Sequence, residues 1–272
     1  MTDRPRPKRP QHVMEVLERS RLSPSLVRLV VGGPGFSTFP QPPSTDAYVK
    51  IVFAKPELDL EPPYDLAQLR ETLAPEDIPV TRTYTVRDVD MEAGTLTLDF
   101  VVHGDAGLAA PWARDAQPGD RIVFHGPGGA YTPDASADWH LLAGDLSALP
   151  AVAAALEALP ADARGYAFLV VDEEDDRLEL TAPEGVEIVW AVGSEGGAAT
   201  DLLAATIRSR PWLEGRVHVF AHGERESIKQ VRRLLKEHEL SREQISISGY
   251  WAYGRNEDRF QSEKREPIGT ID

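Results

Sequence analysis

The chain predicts two units in series, an N-terminal six-stranded antiparallel β-barrel followed by an α/β unit on a parallel sheet. Three observations predict this. Short strand-like runs without a long helix fill the first 125 residues. A Gly- and Pro-rich stretch follows, after which apolar strands alternate with helical segments. The 272 residues also exceed what one core ordinarily fills. Barrel strands are read near 13–19, 26–32, 46–53, 81–87, 95–102 and 120–125. Gly32-Gly33-Pro34-Gly35 breaks the chain after the second, and Met91-Glu92-Ala93-Gly94 turns a hairpin between the fourth and fifth. The insertion 55–79 carries prolines, acids and one helical turn around 66–73. A rim over a pocket and a plain variable loop account for it equally well.

Beyond the linker-like run 126–137, strands are read at 139–143, 166–171, 186–191, 216–221 and 245–250, with helices near 148–159, 198–209 and 225–239. Phe168-Leu169-Val170-Val171 is continuously apolar, as a strand covered on both faces requires. Ile228, Val231, Leu234 and Leu235 recur at helical spacing and face a core. In such a sheet the ligand crevice lies at the carboxyl ends of the strands. The expected division is a disordered basic tail at 1–12, a barrel domain at 13–130, a linker at 131–137, and a nucleotide-binding-like domain with a C-terminal extension at 138–272.

Composition narrows the function. A formal charge of −15, from 44 acids against 29 bases, disfavours nucleic acid and anionic membrane as partners, so a bound anion needs a local basic pocket. No apolar run approaches the roughly 20 residues of a membrane span, and the N-terminus lacks the apolar core of a signal peptide, so a cytoplasmic protein is expected. Nothing suggests a coiled coil, and a monomer is the default. Cysteine is absent, which removes disulfides, thiolate nucleophiles and ordinary iron–sulfur clusters. The seven histidines show no ligand spacing, so no metal site is expected. A redox role would require a bound organic cofactor. The acidic run Asp172–Asp176 reads as a solvated turn at a strand end rather than a cation site.

Arg82-Thr83-Tyr84-Thr85-Val86-Arg87 reads as one strand that puts a cation and an aromatic ring, Arg82 and Tyr84, on the same face. That face suits a flat, diphosphate-bearing flavin, with Tyr84 against the ring, Arg82 on a phosphate and Thr85 at a ring heteroatom. Taken alone the hexapeptide also reads as any half-buried strand. Downstream, a strand through Asp99 and Val101 runs into His103-Gly104-Asp105-Ala106-Gly107 and a short helical piece of small residues, where backbone amides are open to a diphosphate.

RTYTVR, VVHGDAGLAAPWA, AGDLSALPAV, AHGE and GYW, in that order from about Val13 onward, resemble the siderophore-interacting proteins, FAD-binding relatives of the ferredoxin reductases. The resemblance implies FAD on the barrel and a nicotinamide nucleotide, NADH or NADPH, approaching from the sheet, with a ferredoxin as another possible donor. It implies reduction of a ferric siderophore in the cytoplasm, with no acid–base or nucleophilic residue required. It places Asp99, Val101, His103, Gly107, Leu108, Ala109 and Trp112 beside the flavin nucleotide together with Arg82, Thr83, Tyr84 and Thr85. Asp145, Ser147 and Ala148 are placed near the flavin edge, although Asp145 and Ser147 also make helix-cap sense. Lys50, Trp251, Arg255, Lys264 and Arg265 are implied as the dock for a negatively charged chelate.

Three departures stand out. Leu146 replaces an acidic residue, no base follows Ala191-Val192-Gly193-Ser194, and Ala252 replaces a base after the Trp. Two alternatives stay open: a general flavin-dependent NAD(P)H oxidoreductase, and a flavin-free carrier of ferric chelates. The glutamate of AHGE is expected only to start a helix.

Overall fold

The computed structural model describes residues 10–102, 107–194 and 200–271. Six strands close a barrel: β1 (Gln11–Ser23), β2 (Leu26–Gly32), β3 (Tyr48–Phe53), β4 (Val80–Asp90), β5 (Thr95–Val101) and β6 (Arg121–Gly128), in the order β1-β2-β5-β4-β3-β6 with every pair antiparallel. Alternate residues point inward, so Val27, Leu29 and Val31 meet Leu96, Leu98 and Phe100 in one core. β1 begins at Gln11, inside the stretch expected as a tail, because Gln11 and His12 pair with His125 and Phe124. The helix expected in the insertion is α1 (Leu66–Thr72), started by Asp65, whose carboxylate accepts from the Ala67 and Gln68 amides. The piece of small residues forms α2 (Ala109–Asp115).

The second half is a five-stranded parallel sheet of β7 (Trp139–Gly144), β8 (Arg164–Val171), β9 (Gly185–Val192), β10 (Val217–Glu224) and β11 (Ile245–Trp251), ordered β11-β10-β7-β8-β9. β8 is buried from Gly165 to Val171, as its apolar run predicts for a strand covered on both faces. The covering helices are α3 (Leu149–Glu157), α4 (Leu202–Arg208) and α5 (Arg225–Lys236), each near its expected place. β10 runs three residues past its expected end, so the AHGE segment is strand rather than loop. A further helix, α6 (Glu257–Glu263), was not expected. Its signal was Asn256 as cap with Glu257 and Asp258 in the first turn.

The two halves are pinned where they meet. Asp176 is fully buried, and its Oδ1 accepts from Ser23 Oγ at 2.6 Å and from the Ser25 amide at 2.8 Å. The acidic run is therefore not wholly a solvated turn, because its last carboxylate leaves solvent to clasp the β1–β2 corner. Leu26 packs into the α3 core, and Arg87 of β4 makes a two-pronged ion pair with Glu157 of α3. These contacts hold the barrel against β8 and α3 of the second half.

Candidate functional site

β4 is shared unequally between its neighbours. Val80 to Thr85 pair with β3, but pairing with β5 begins only at Val86, opposite Leu98. Beyond that point β5 turns to β2 alone, with Asp99, Phe100 and Val101 opposite Arg28, Val27 and Leu26. The barrel thus forks between β4 and β5, and Val80 to Thr85 leave one strand edge without a β5 partner among the described residues. A cavity of about 870 Å³ opens at this fork and continues to the carboxyl ends of β7, β8, β10 and β11.

On the barrel side Arg82, Thr83, Tyr84 and Thr85 all line it, with Asp99 and Val101 across the fork and Gly107, Leu108 and Ala109 at one end. Four successive residues of β4 face one cavity, more than strict alternation of sides allows, because the strand's edge as well as its face is exposed there. The Tyr84 ring lies 4.2 Å from that of Phe100, and burial pushes its phenol well above the usual range. Asp99 is held by Arg28 through two bonds of 2.7 Å. Arg82 is ion-paired with Asp258 of α6 at 3.2 Å. Trp112 does not reach the cavity; its ring packs between Phe53 and Phe100 in the barrel wall. His103 lies outside the described residues.

On the sheet side Asp145 and Ser147 line the cavity, and Ala148 does not. Ala148 is fully buried at the start of α3, its amide turned to Asp145. Asp145 has no acceptor to spare. Its Oδ1 takes the Ser147 amide and hydroxyl and the Ala148 amide, while its Oδ2 takes the Glu224 amide and Trp251 Nε1, both at 2.7 Å. Burial still pushes this carboxyl upward against those donors. The residue ties the ends of β7, β10 and β11 together. Gly223 serves the same knot, since a Cβ there would stand 2.7 Å from Asp145 Oδ2 at a φ of 153°. Glu224, expected only as a helix start, caps α5 and also accepts the Tyr253 amide at 3.0 Å.

The residues expected as the dock sort into two groups. Lys50, Lys264 and Trp251 line the cavity; Arg255 and Arg265 do not. Arg255 donates to Glu263 at 2.7 Å, beside Arg225 and Arg259 on the same carboxylate, and Arg265 lies exposed beyond α6. Lys264 rests over the Phe260 ring at 4.7 Å. Partial desolvation lowers its pKa, Glu257 opposes the effect and nearby Lys50 adds to it. Among the described residues neither lysine has a carboxylate partner. Sequence reasoning missed Asp46, Tyr48, His222, Ser248, Glu257 and Gln261, which line the same space. His222 and Ser248 are in register on β10 and β11, which a two-residue period could have shown once β10 was extended.

Residues 15–131 match the family described as siderophore-interacting FAD-binding domain, and residues 137–254 match the one described as siderophore-interacting protein. The chain is 45% identical over 275 residues to an uncharacterised protein of Mycobacterium tuberculosis, covering 95% of this chain and 96% of the relative. The chain belongs to the siderophore-interacting proteins. The ferric vibriobactin reductase of Vibrio cholerae is 34% identical over 256 residues, covering 93% of each chain. The siderophore-interacting protein SipS of Aeromonas hydrophila superposes with a TM-score of 0.80 at 30% identity, over 97% of this chain and all of that one. Phthalate dioxygenase reductase, at 12% identity and a TM-score of 0.59 over 90% of this chain and 70% of that one, shares the ferredoxin-reductase-like fold. No helix among the described residues is long and apolar enough to cross a membrane.

Proposed function

We propose that this siderophore-interacting protein uses FAD to reduce a negatively charged ferric siderophore, so that the iron leaves as Fe(II). The observation that carries the reading is one cavity that joins the forked β4–β5 edge to Lys50 of β3 and Lys264 at the end of α6, neither of which has a carboxylate partner among the described residues. The residues fit the cofactor. Arg82 offers a planar cation to a diphosphate, Tyr84 a half-buried ring, and the stretch at Thr83 and Thr85 that β5 leaves unpaired offers backbone donors and acceptors to a flavin. Bound there, FAD supplies the conversion of hydride into single electrons, which no side chain of this chain can perform.

The chain's own part is to hold, orient and attract. Lys50 and Lys264 supply the local positive field that an anionic chelate needs on a protein of net charge −15. Trp251, fixed by its bond to Asp145, and the exposed Tyr253 give the chelate apolar surface beside them. Hard oxygen donors grip Fe(III) far more tightly than Fe(II), so one electron loosens the chelate. Val170, Asp172, Gly193 and Ser194 line the cavity at the ends of β8 and β9, where a nicotinamide donor would enter. None of these four is a base, which favours NADH over NADPH.

The test is a spectrum of the purified protein, followed by anaerobic reduction with NADH and addition of a ferric tris-catecholate with a ferrous trap. A flavin band that bleaches and returns as the ferrous complex appears is expected. A colourless protein that takes up no added FAD overturns the proposal in favour of a carrier.

A further inference from the structure

One charge in the cavity works against the attraction of anions. Glu257, the first residue of α6, is half-buried and lines the cavity. Other acids around this space are occupied. Asp99 is paired with Arg28, Asp145 is filled by its donors, and Asp46 takes the Ala130 and Tyr131 amides, both at 2.8 Å. Asp172 lies at the end of β8, on the side assigned above to the nicotinamide donor. Glu257 has neither a base nor a backbone amide as partner among the described residues; its Oε1 accepts from the Gln261 side-chain amide at 2.8 Å.

Helix chemistry alone does not account for it. An acid in a first turn complements the helix dipole, but Asn256 already caps α6 and Asp258 already supplies a first-turn charge. Asp258 turns to Arg82, whereas Glu257, Gln261 and Lys264 recur at spacings of four and three residues and line the cavity as one stripe. The offset from Glu257 to Lys264 spans about 10 Å of helix axis, too far for an ion pair and near enough to face one ligand. The carboxylate is felt at both ends of the cavity: after desolvation it is the next influence on Lys264 at the dock and on Tyr84 at the fork.

The consequence is a matter of charge arithmetic. Lys50 and Lys264 alone would give the dock two positive charges, and Glu257 leaves it one. Coulomb energy scales with the charge of the ligand, so this loss weakens the hold on a trianion three times as much as on a monoanion, and on a neutral complex not at all. Ferric tris-catecholates carry three negative charges and ferric tris-hydroxamates none. Chelates that mix hydroxamate with catecholate or hydroxycarboxylate arms lie between. A carboxylate placed in the dock therefore sorts ferric chelates by charge without having to touch them.

We propose that Glu257 is a specificity-determining residue of the chelate site, biasing it away from trianionic tris-catecholates and toward ferric chelates of lower negative charge. The assignment rests on the ferric-chelate reading above and narrows its substrate class. A trianion still binds, but less tightly than the two lysines alone would hold it.

The experiment is calorimetric titration of the FAD-loaded protein with two gallium(III) complexes, a tris-catecholate and a neutral tris-hydroxamate, which imitate the ferric chelates but accept no electron. Glu257→Gln keeps the oxygen that accepts from Gln261 and removes only the charge. It should bind the tris-catecholate about three- to tenfold more tightly and the tris-hydroxamate within about twofold of the parent. The gain should shrink as sodium chloride is raised, since screening weakens a field effect. A merely structural role would move both complexes alike and would not respond to salt in this way. Equal tris-catecholate affinity in parent and variant, or an equal change for both complexes, overturns the assignment and leaves the chelate site standing. Tighter FAD with unchanged chelate binding would put the charge on the flavin side and overturn it too. A parent protein that binds FAD but neither gallium complex removes both this assignment and the reading beneath it.

Discussion

Arg82 shows how one side chain can be held ready without being committed. Its guanidinium is mostly buried, whereas its partner Asp258 is 63% exposed, so the pair is one that water and salt weaken. Exposed pairs of this kind are worth about 0.2–1 kcal/mol, less than the roughly 1.5–3 kcal/mol of a hydrogen bond to a charged group. A diphosphate would therefore displace Asp258 at small cost. Asp258→Asn should tighten FAD binding by about two- to fivefold, and Arg82→Gln should weaken it by about ten- to a hundredfold. Fluorescence titration of the apoprotein with FAD checks both. Weaker binding in Asp258→Asn would mean that the carboxylate orients the arginine rather than competes for it.

Among the elements, α6 is where local sequence says least and tertiary structure adds most. RTYTVR, VVHGDAGLAAPWA and AGDLSALPAV each sit within or beside one strand, so periodicity and turn chemistry expose them. The strands and three sheet-covering helices could be read the same way. Lys264 and Arg265, adjacent in sequence and both exposed, separate only in space: one lies over the Phe260 ring and lines the cavity, and the other does not reach it. Arg255 looked like a dock and is a strut, because the carboxylate that claims it, Glu263, is eight residues away on a helix not foreseen. Asp145 lines the cavity and its Oδ1 caps α3, both legible in the sequence, whereas its Oδ2 serves β10 and β11, pairings that no single stretch of sequence reveals.

Glu263 binds Arg225 of α5 at 2.6 Å as well as Arg255 and Arg259, and so holds α6 to the body of the domain. Three guanidinium groups, that of Arg225 foremost, hold its carboxyl down to about 2. Glu263→Gln keeps the shape but loses the charge that unites the three. The expected result is faster proteolytic cleavage after Arg255 or Arg259 and several-fold weaker gallium chelate binding through displaced Lys264, with FAD binding retained. Unchanged cleavage and unchanged chelate affinity would show that the apolar seat of Phe260 alone secures the helix.

Across the whole molecule, buried histidines and paired acids set how folding responds to acid. Burial is the first cause that lowers His12, His140, His218 and His222, with His140 brought to about 4 and His222 to about 3 from an ordinary 6.5. Between pH 6.5 and 4 the unfolded chain takes up protons on these rings that the folded chain refuses, so their contribution is complete above pH 6.5 and declines as pH falls. Glu263, lowered from an ordinary 4.5 to about 2, stabilises the fold above pH 4.5 and loses that contribution only as pH falls toward 2. The two windows adjoin, and they can be separated by mutation. Urea unfolding of the parent should show stability falling from pH 6.5 downward. His140→Phe should flatten the decline between 6.5 and 4, and Glu263→Gln should leave that part intact while reducing the dependence below 4.5, which Asp134 and Glu187 share. The two rings have different partners, since His140 faces His218, Asp134 and Arg216 at the amino end of the sheet while His222 faces Lys264 in the cavity. An anionic chelate beside Lys264 should therefore shift the parent's decline through His222 and leave the share of His140 where it was; a chelate that moved neither would place the bound anion away from the sheet end.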